Sequence, residues 1–287
     1  MGLFMAFLFI LIAKAYPDWV PNRIDTWINR IENYKTGESA DGNYQLSRAK
    51  TAIVSGVGPI DGLGAQLCVR IAKEGLHVLV AGRTQSKLDA VADFIKDQGG
   101  SAEAVVADAT DEVATKELFA RAGDNLDLAI YNTGNNTPGR IIDMEADFFA
   151  NSWRVCCFGG FLFGREAVRQ FIVTQRGGTL LFTGASASLR GRANFGAFNS
   201  SKGALRNFAQ AMAKEYAQDG VHVGHVVVDG AIAGEKVKRG LPEYAERLGE
   251  DGMISIDGIV DGFVYLYRQP PQAWTFELDV RTAKEKW

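Results

Sequence analysis

The chain has 287 residues, long for one domain of ordinary size and short for two. Its composition, 47% apolar and 23% charged, is that of a globular protein able to bury a large core without disulfides or metal. A net charge of −3 supplies no basic face for nucleic acid, and the scattered histidines and cysteines show no zinc-ligand spacing, so neither nucleic acid nor metal is expected.

The first thirteen residues, MGLFMAFLFILIA, carry no charged side chain. The run is short of the roughly 20 residues that span a bilayer, and its first cation, Lys14, follows it rather than preceding it as in a secretory signal. In PNRIDTWINRIENY, residues Ile24, Trp27, Ile28, Ile31 and Tyr34 fall on one helical face, with Arg23, Asp25, Asn29, Arg30 and Glu32 on the rest. Residues 1–35 therefore read as an apolar leader and an amphipathic helix. They attach to a membrane interface or a protein partner, or else pack on the chain's own domain. The first reading makes the protein peripheral or monotopic at a membrane; otherwise it belongs in the cytoplasm or an organelle lumen. KTGESADGNYQ reads as a linker, giving an extension over 1–48 and a domain over 49–287.

From Lys50 onward, apolar runs alternate with helical patterns: TAIVSGV, GLGAQLCVRIAKEG, HVLVAGR, SKLDAVADFIKDQG, AEAVVAD, LDLAIYN, GGTLLFTG, VHVGHVVVDG and a final WTFELDV. Such alternation predicts an α/β domain, a Rossmann-like doubly wound parallel sheet of about seven strands with helices on both faces. His222 and His225 fall on a strand and read as core or wall residues. Cys68, Cys156 and Cys157 read as reduced, buried thiols, which points to a reducing compartment.

Between the first strand and first helix lies SGVGPIDGLG, with Gly56, Gly58, Gly62 and Gly64. Glycines there permit a tight turn and close backbone approach to a pyrophosphate, which the following helix N-terminus attracts. Arg83 stands nineteen residues past Gly64, at the end of the second strand, where an acidic residue would bind a ribose 2′-hydroxyl. Gly82–Arg83–Thr84 suits a 2′-phosphate instead, so NADP(H) is favoured over NAD(H).

These residues resemble the short-chain dehydrogenase/reductase family, from about Lys50 to Lys286. The family's TGxxxGxG loop is matched in one of two ways. Ser55–Gly56 and Gly62–Leu63–Gly64 match with Ile60 and Asp61 inserted, or Gly58–Gly62–Gly64 match with a longer strand. Either way Asp61 brings a negative charge close to the pyrophosphate position. The resemblance assigns Asp108 to the adenine contact and Asn132 and Gly134, within Tyr131–Asn132–Thr133–Gly134, to the cofactor wall. Asp229–Gly230 replaces the family's Pro–Gly turn.

The chemistry implied by the resemblance is hydride transfer between nicotinamide and a carbonyl or alcohol, with a tyrosine, lysine, serine and asparagine handling the proton. The tyrosine–lysine pair, YxxxK, is here Phe198–Asn199–Ser200–Ser201–Lys202. Phenylalanine has no proton to donate, and Phe195, at the longer spacing used by related enoyl reductases, does not replace it. The serine offset falls on Ala185, with Ser186 and Ser188 nearby, and the asparagine position is Cys156. Lys202 is retained, and Ser186 is the candidate serine after a one-residue shift. Two long helices, about Ala146–Thr174 and Ala197–Gln218, carry the family's dimer face, and a stripe of Leu205, Phe208, Met212 and Tyr216 reads as core. A homo-oligomer or a subunit of a complex is expected. Three functions stay open: an oxidoreductase with altered acid–base groups, a non-catalytic NADP(H) binder, and an accessory subunit tethered through residues 1–35. The short segment Ala233–Asp251 leaves little substrate lid.

Overall fold

The structure, a computed structural model, describes residues 50–285. The chain divides at Arg48/Ala49. The leader, amphipathic helix and linker read in residues 1–48 lie outside the described residues.

Seven strands form one sheet, all neighbours parallel: β1 (Thr51–Ser55), β2 (His77–Gly82), β3 (Ser101–Val106), β4 (Leu126–Tyr131), β5 (Gly178–Ala185), β6 (Val221–Val228) and β7 (Glu277–Val280). Their spatial order is β3-β2-β1-β4-β5-β6-β7. The connecting helices are α1 (Leu63–Lys73), α2 (Gln85–Asp97), α3 (Glu112–Ala122), α4 (Ala146–Trp153), α5 (Gly159–Thr174), α6 (Gly196–Tyr216), α7 (Glu235–Gly240), α8 (Pro242–Leu248) and α9 (Ile256–Tyr267). This is the doubly wound architecture read from the sequence. Among the described residues, no helix is long and apolar enough to cross a membrane.

Alternating strand residues feed two cores. Ala52, Val54, Val80, Ile130 and Val226 face α1, α2 and α9. Ile53, Leu79, Ala129, Phe182 and Val223 face α3, α5 and α6. Burial on both faces explains why the strands read as continuous apolar runs rather than alternating ones. Leu205 and Met212 lie fully in the second core, with Phe208 and Tyr216 packed at its edge, so the stripe on α6 is core.

Two elements differ from their sequence reading. The last strand begins at Glu277, not Trp274. The Trp274 ring stacks on His222 at 5.0 Å between centroids, and the Thr275 N–H bonds the Gln269 side chain at 2.8 Å, which keeps both out of the ladder. The long helix from Ala146 is divided by a π-helical segment, Arg154–Phe158, that joins α4 to α5. A π-segment inserts an extra residue into the helical turn and re-aims side chains, an arrangement common at functional sites. Ala233–Asp251 is short, as its length implies, and is built as α7, α8 and a 3-10 turn.

Candidate functional site

The strand order reverses between β1 and β4, and in doubly wound sheets the crevice at the carboxyl ends of such strands is where ligands bind. The chain leaves β1 at Ser55, whose carbonyl takes the Asn132 N–H at 3.0 Å and whose hydroxyl lies 3.1 Å from that of Thr133. Gly56 follows with φ +85°, and a Cβ there would lie 2.7 Å from the Asn132 carbonyl carbon and the Thr133 nitrogen. Gly64 packs back on the same point: a Cβ would sit 2.8 Å from the Gly56 oxygen.

Strand β1 thus ends where the first of the two loop matches requires, and the two additional residues lie within the loop. They form a turn closed by the Gly62 N–H on the Pro59 carbonyl at 2.9 Å, and Gln66 Nε2 pins the turn to the helix through the Ile60 carbonyl at 2.7 Å. Gly62 is the N-cap of α1, with no side-chain cap and no acidic residue in the first turn. The N–H groups of Leu63, Gly64 and Ala65 have no acceptor among the described residues. Asp61 is half-exposed and does not cap the helix. Uncapped N–H groups above a floor that admits no Cβ fit a pyrophosphate.

Beyond this floor, Gly82 ends β2 under the loop; a Cβ would lie 2.6 Å from the Val57 oxygen. Arg83 follows and is exposed, and Asp108 stands beside it past the end of β3. Asp108 Oδ1 accepts from the Thr110 N–H and hydroxyl, each at 2.8 Å. The Thr110 N–H chiefly, then its hydroxyl and the Arg83 charge, hold the Asp108 carboxyl below its ordinary range against partial desolvation. The pair presents one cation and one anion at the far end of the crevice.

At the other end lie the groups of chemical interest. Lys202, 4% exposed, donates from Nζ to the Thr183 carbonyl at 2.7 Å. The Thr183 hydroxyl donates to Asn132 Oδ1 at 3.0 Å, while Asn132 Nδ2 reaches the Gly56 carbonyl at 3.3 Å. One chain of bonds therefore joins Lys202 to the glycine loop. Burial pushes the Lys202 ammonium below its ordinary range, with Cys156 opposing. Gly134 closes the same corner: a Cβ would meet Lys202 Nζ at 3.3 Å and Cys156 Sγ at 3.7 Å. Cys156 sits in the π-segment, whose Val155 carbonyl accepts the buried Tyr131 hydroxyl at 2.6 Å.

Phe198 lies half-buried on α6, one turn ahead of Lys202. Ala185 is the last residue of β5, and Ser186 opens the 3-10 turn Ser186–Ser188 that packs on α6. The Ser186 hydroxyl has no partner among the described residues. Ser188 accepts the Ala185 N–H at 3.2 Å and is structural. The fold thus gathers Gly56, Gly58, Gly62, Gly64, Asn132, Gly134, Lys202 and Ser186 about one crevice, with Arg83 and Asp108 at its end. All three cysteines are free and buried.

Two buried polar clusters have little local signal. Asp229, 1% exposed at the end of β6, takes a bidentate bond from Arg190 at 2.8 and 3.0 Å, tying the loop after β5 to the sheet. Beneath α6, Glu277 accepts two bonds from Arg206 and lies 3.0 Å from His225 Nδ1. The His225 ring is seated against Gly184, where a Cβ would lie 2.3 Å from Nε2, and burial pushes its pKa down to about 4.

Comparison with known proteins agrees with this geometry. The family model described as short chain dehydrogenase matches residues 50–238. Versicolorin reductase stcU of Emericella nidulans is 31% identical over 68% of this chain and 73% of its own length. The uncharacterized oxidoreductase YuxG of Bacillus subtilis is 30% identical over 67% of this chain, a stretch that is 28% of that longer protein. A crystal structure of a short-chain dehydrogenase from Rhodopseudomonas palustris is 31% identical, with a TM-score of 0.68 over 81% of this chain and 98% of that one.

Proposed function

The chain belongs to the short-chain dehydrogenase family, whose members bind NAD(P)(H), and from that premise we propose that it binds NADP(H) and transfers hydride between it and a carbonyl or alcohol. The observation that carries this reading is the uncapped N-terminus of α1 over Gly56 and Gly64, with Arg83 and Asp108 at the crevice end. Arg83 is the reason to favour the 2′-phosphorylated form, since a guanidinium pairs with phosphate and repels no group there. Gly58, open on its Cβ side, leaves room at the phosphates.

The nicotinamide, when bound, supplies the hydride donor or acceptor. The protein supplies position and the proton. Lys202 keeps one N–H on the Thr183 carbonyl and has two donors left for the site. Its lowered pKa raises the share of neutral amine, the form that takes a proton from an alcohol; the ammonium form gives one to a developing alkoxide. Ser186, with its free hydroxyl, is positioned to hold the substrate oxygen. Without a tyrosine at 198 the rate falls by about 10²–10⁴ relative to an intact general acid.

Thermal unfolding with and without NADPH and NADH tests the reading. A ligand at 100 times its dissociation constant stabilises by about 2.7 kcal/mol, and NADPH is expected to act more strongly than NADH. Arg83→Glu should reverse that order. Absence of a shift with either nucleotide sinks the proposal.

Phe198 itself favours a second reading, a cofactor binder that does not turn over. It is supported if both the natural protein and Phe198→Tyr bind NADPH but oxidise it with no carbonyl in a broad panel. Two partner surfaces belong with these readings. Trp153, Phe158, Phe161 and Phe208 form a run of ring contacts 5.9–6.1 Å apart on the outer face of α4–α6, which we assign to a second copy of the chain. Trp153→Glu should then yield monomers in sedimentation. Attachment through residues 1–35, to a membrane surface or to protein partners as an accessory subunit, predicts vesicle flotation or co-purification that is lost when those residues are deleted.

A further inference from the structure

Three loops ring the crevice mouth at the carboxyl ends of β4, β5 and β6, and each exposes large apolar side chains. Ile141 and Ile142 are 77% and 80% exposed, Leu189 and Leu241 less so. The loop after β4 is fastened to the entry of α6 by the Gly139 N–H on the Asn194 carbonyl at 2.7 Å. Ile141 seats on Gly196, where a Cβ would lie 3.1 Å from Cγ1, placing it two residues ahead of Phe198. Leu189 leaves the Ser186–Ser188 turn with its N–H on the Ser186 carbonyl at 3.0 Å. Exposed apolar side chains scattered singly need no explanation, but the adjacent Ile141 and Ile142, with Ile141 against Gly196, put an exposed apolar pair beside the entry of α6, as a binding surface does.

The character continues inward. Ala185 and Phe198, beside Ser186 and Lys202, are both apolar. The arginines of the first two loops each have a contact within the rim. Arg190 is turned onto buried Asp229, Arg140 lies 3.8 Å from Asp143, and Arg192 lies over the Phe195 ring at 5.1 Å. Arg190 is thereby committed to the buried Asp229, and the exposed Arg140 and Arg192 stand outside the apolar rim that Ile141, Ile142 and Leu189 present. Resting on the cofactor reading above, we propose that the substrate is a predominantly apolar ketone or secondary alcohol. Its reacting carbon is carried on an alkyl chain or hydrocarbon ring, not on a sugar or an acid.

Binding, not turnover, tests this, so a slow reaction does not obscure the result. Straight-chain methyl ketones from 2-hexanone to 2-undecanone, with fructose as a hydroxylated ketone, are titrated into the full-length protein saturated with NADPH, followed by calorimetry. Each methylene should tighten binding about 2–4-fold until the mouth is spanned. In the double variant Ile141→Ser, Ile142→Ser that gain should drop below 2-fold while the NADPH-induced thermal shift stays unchanged. Both side chains are exposed, so the fold does not depend on them. Affinity that is flat in chain length, tighter binding of fructose, or an undiminished gain in the double variant overturns the proposal and leaves the cofactor reading intact. Absence of an NADPH shift in the natural protein refutes the cofactor reading, and with it this one.

Discussion

Two glycines two positions apart, Gly56 and Gly58, should respond to the same substitution in opposite ways. At Gly56 an alanine must adopt φ +85°, a region that costs a non-glycine residue about 1–3 kcal/mol. Its Cβ would also fall 2.7–2.8 Å from three backbone atoms of Asn132 and Thr133, which cannot rotate away. Overpacking of this kind costs about 1–3 kcal/mol more. The sum, about 2–6 kcal/mol, corresponds to a fall in Tm of about 4–24 °C for a domain of this size. At Gly58 no heavy atom lies within 4 Å of the added carbon, and φ is not in the left-handed region. Alanine there should leave stability unchanged or raise it by about 0.4–1 kcal/mol, because it restricts the unfolded chain. The open side of Gly58 is the side assigned to the phosphates, so Gly58→Ala should weaken NADPH at least tenfold. Urea titration reads the first quantity and the NADPH-induced thermal shift reads the second. Equal stability of the two variants would refute the loop geometry, and a full NADPH shift in Gly58→Ala would remove Gly58 from the cofactor site.

The remaining predictions concern charge. Burial lowers the folded-state pKa of His225 to about 4, while the unfolded value stays near 6.5, so the unfolded chain binds the additional proton between those values. Stability should therefore fall by about 3 kcal/mol as pH drops from 6.5 to 4, with no further loss from this group below pH 4; His225→Gln should flatten that part of a urea-midpoint profile. Arg190→Ala should cost about 3–5 kcal/mol by stranding the buried Asp229 carboxylate, more than Asp229→Ala, which leaves a partly exposed guanidinium free to reach water; denaturant midpoints that rank them the other way would contradict the pairing. Phe198→Tyr should raise NADPH-dependent reduction of a ketone about 10²–10⁴-fold, and that gain should vanish in Phe198→Tyr, Lys202→Met; a tyrosine that adds nothing to a protein that binds NADPH argues for the non-catalytic reading.

The sheet was legible because its inner strands are buried on both faces, and TAIVS, LDLAIY and VHVGHVVV can be little else between amphipathic helices. The glycine loop was legible because its determinants are local: Gly56 and Gly64 pack on each other across a short spacing. What stayed hidden depends on partners far along the chain or on backbone atoms. Lys202 was visible as a lysine at the right spacing, but its acceptor is a carbonyl on β5, and any residue at 183 would offer one. Arg190 and Asp229 lie 39 positions apart and Arg206 and Glu277 71 apart, distances over which no sequence pattern pairs them. The end of β1 was undecided because Ser55 and Val57 both suit a strand; the Asn132 N–H on the Ser55 carbonyl and the φ of Gly56 decide it.

The residues that depart from the family pattern are not spread evenly over the crevice. The end assigned to the nucleotide keeps its glycine floor, its uncapped helix and Asp108, and beside them a hydrogen-bonded network runs from the Gly56 carbonyl through Asn132 and Thr183 to Lys202. Loss of any member would leave a buried polar group without its partner, which costs about 1–3 kcal/mol whether or not the protein turns over. The other end has no such network: Phe198, Ala185 and the exposed rim isoleucines have no polar side-chain atom and can change without stranding a donor. A network of this kind can therefore persist for stability alone, whatever the chemistry at the other end of the crevice. The test of function accordingly rests on Phe198→Tyr and the ketone series rather than on cofactor binding, which all three readings of this protein permit.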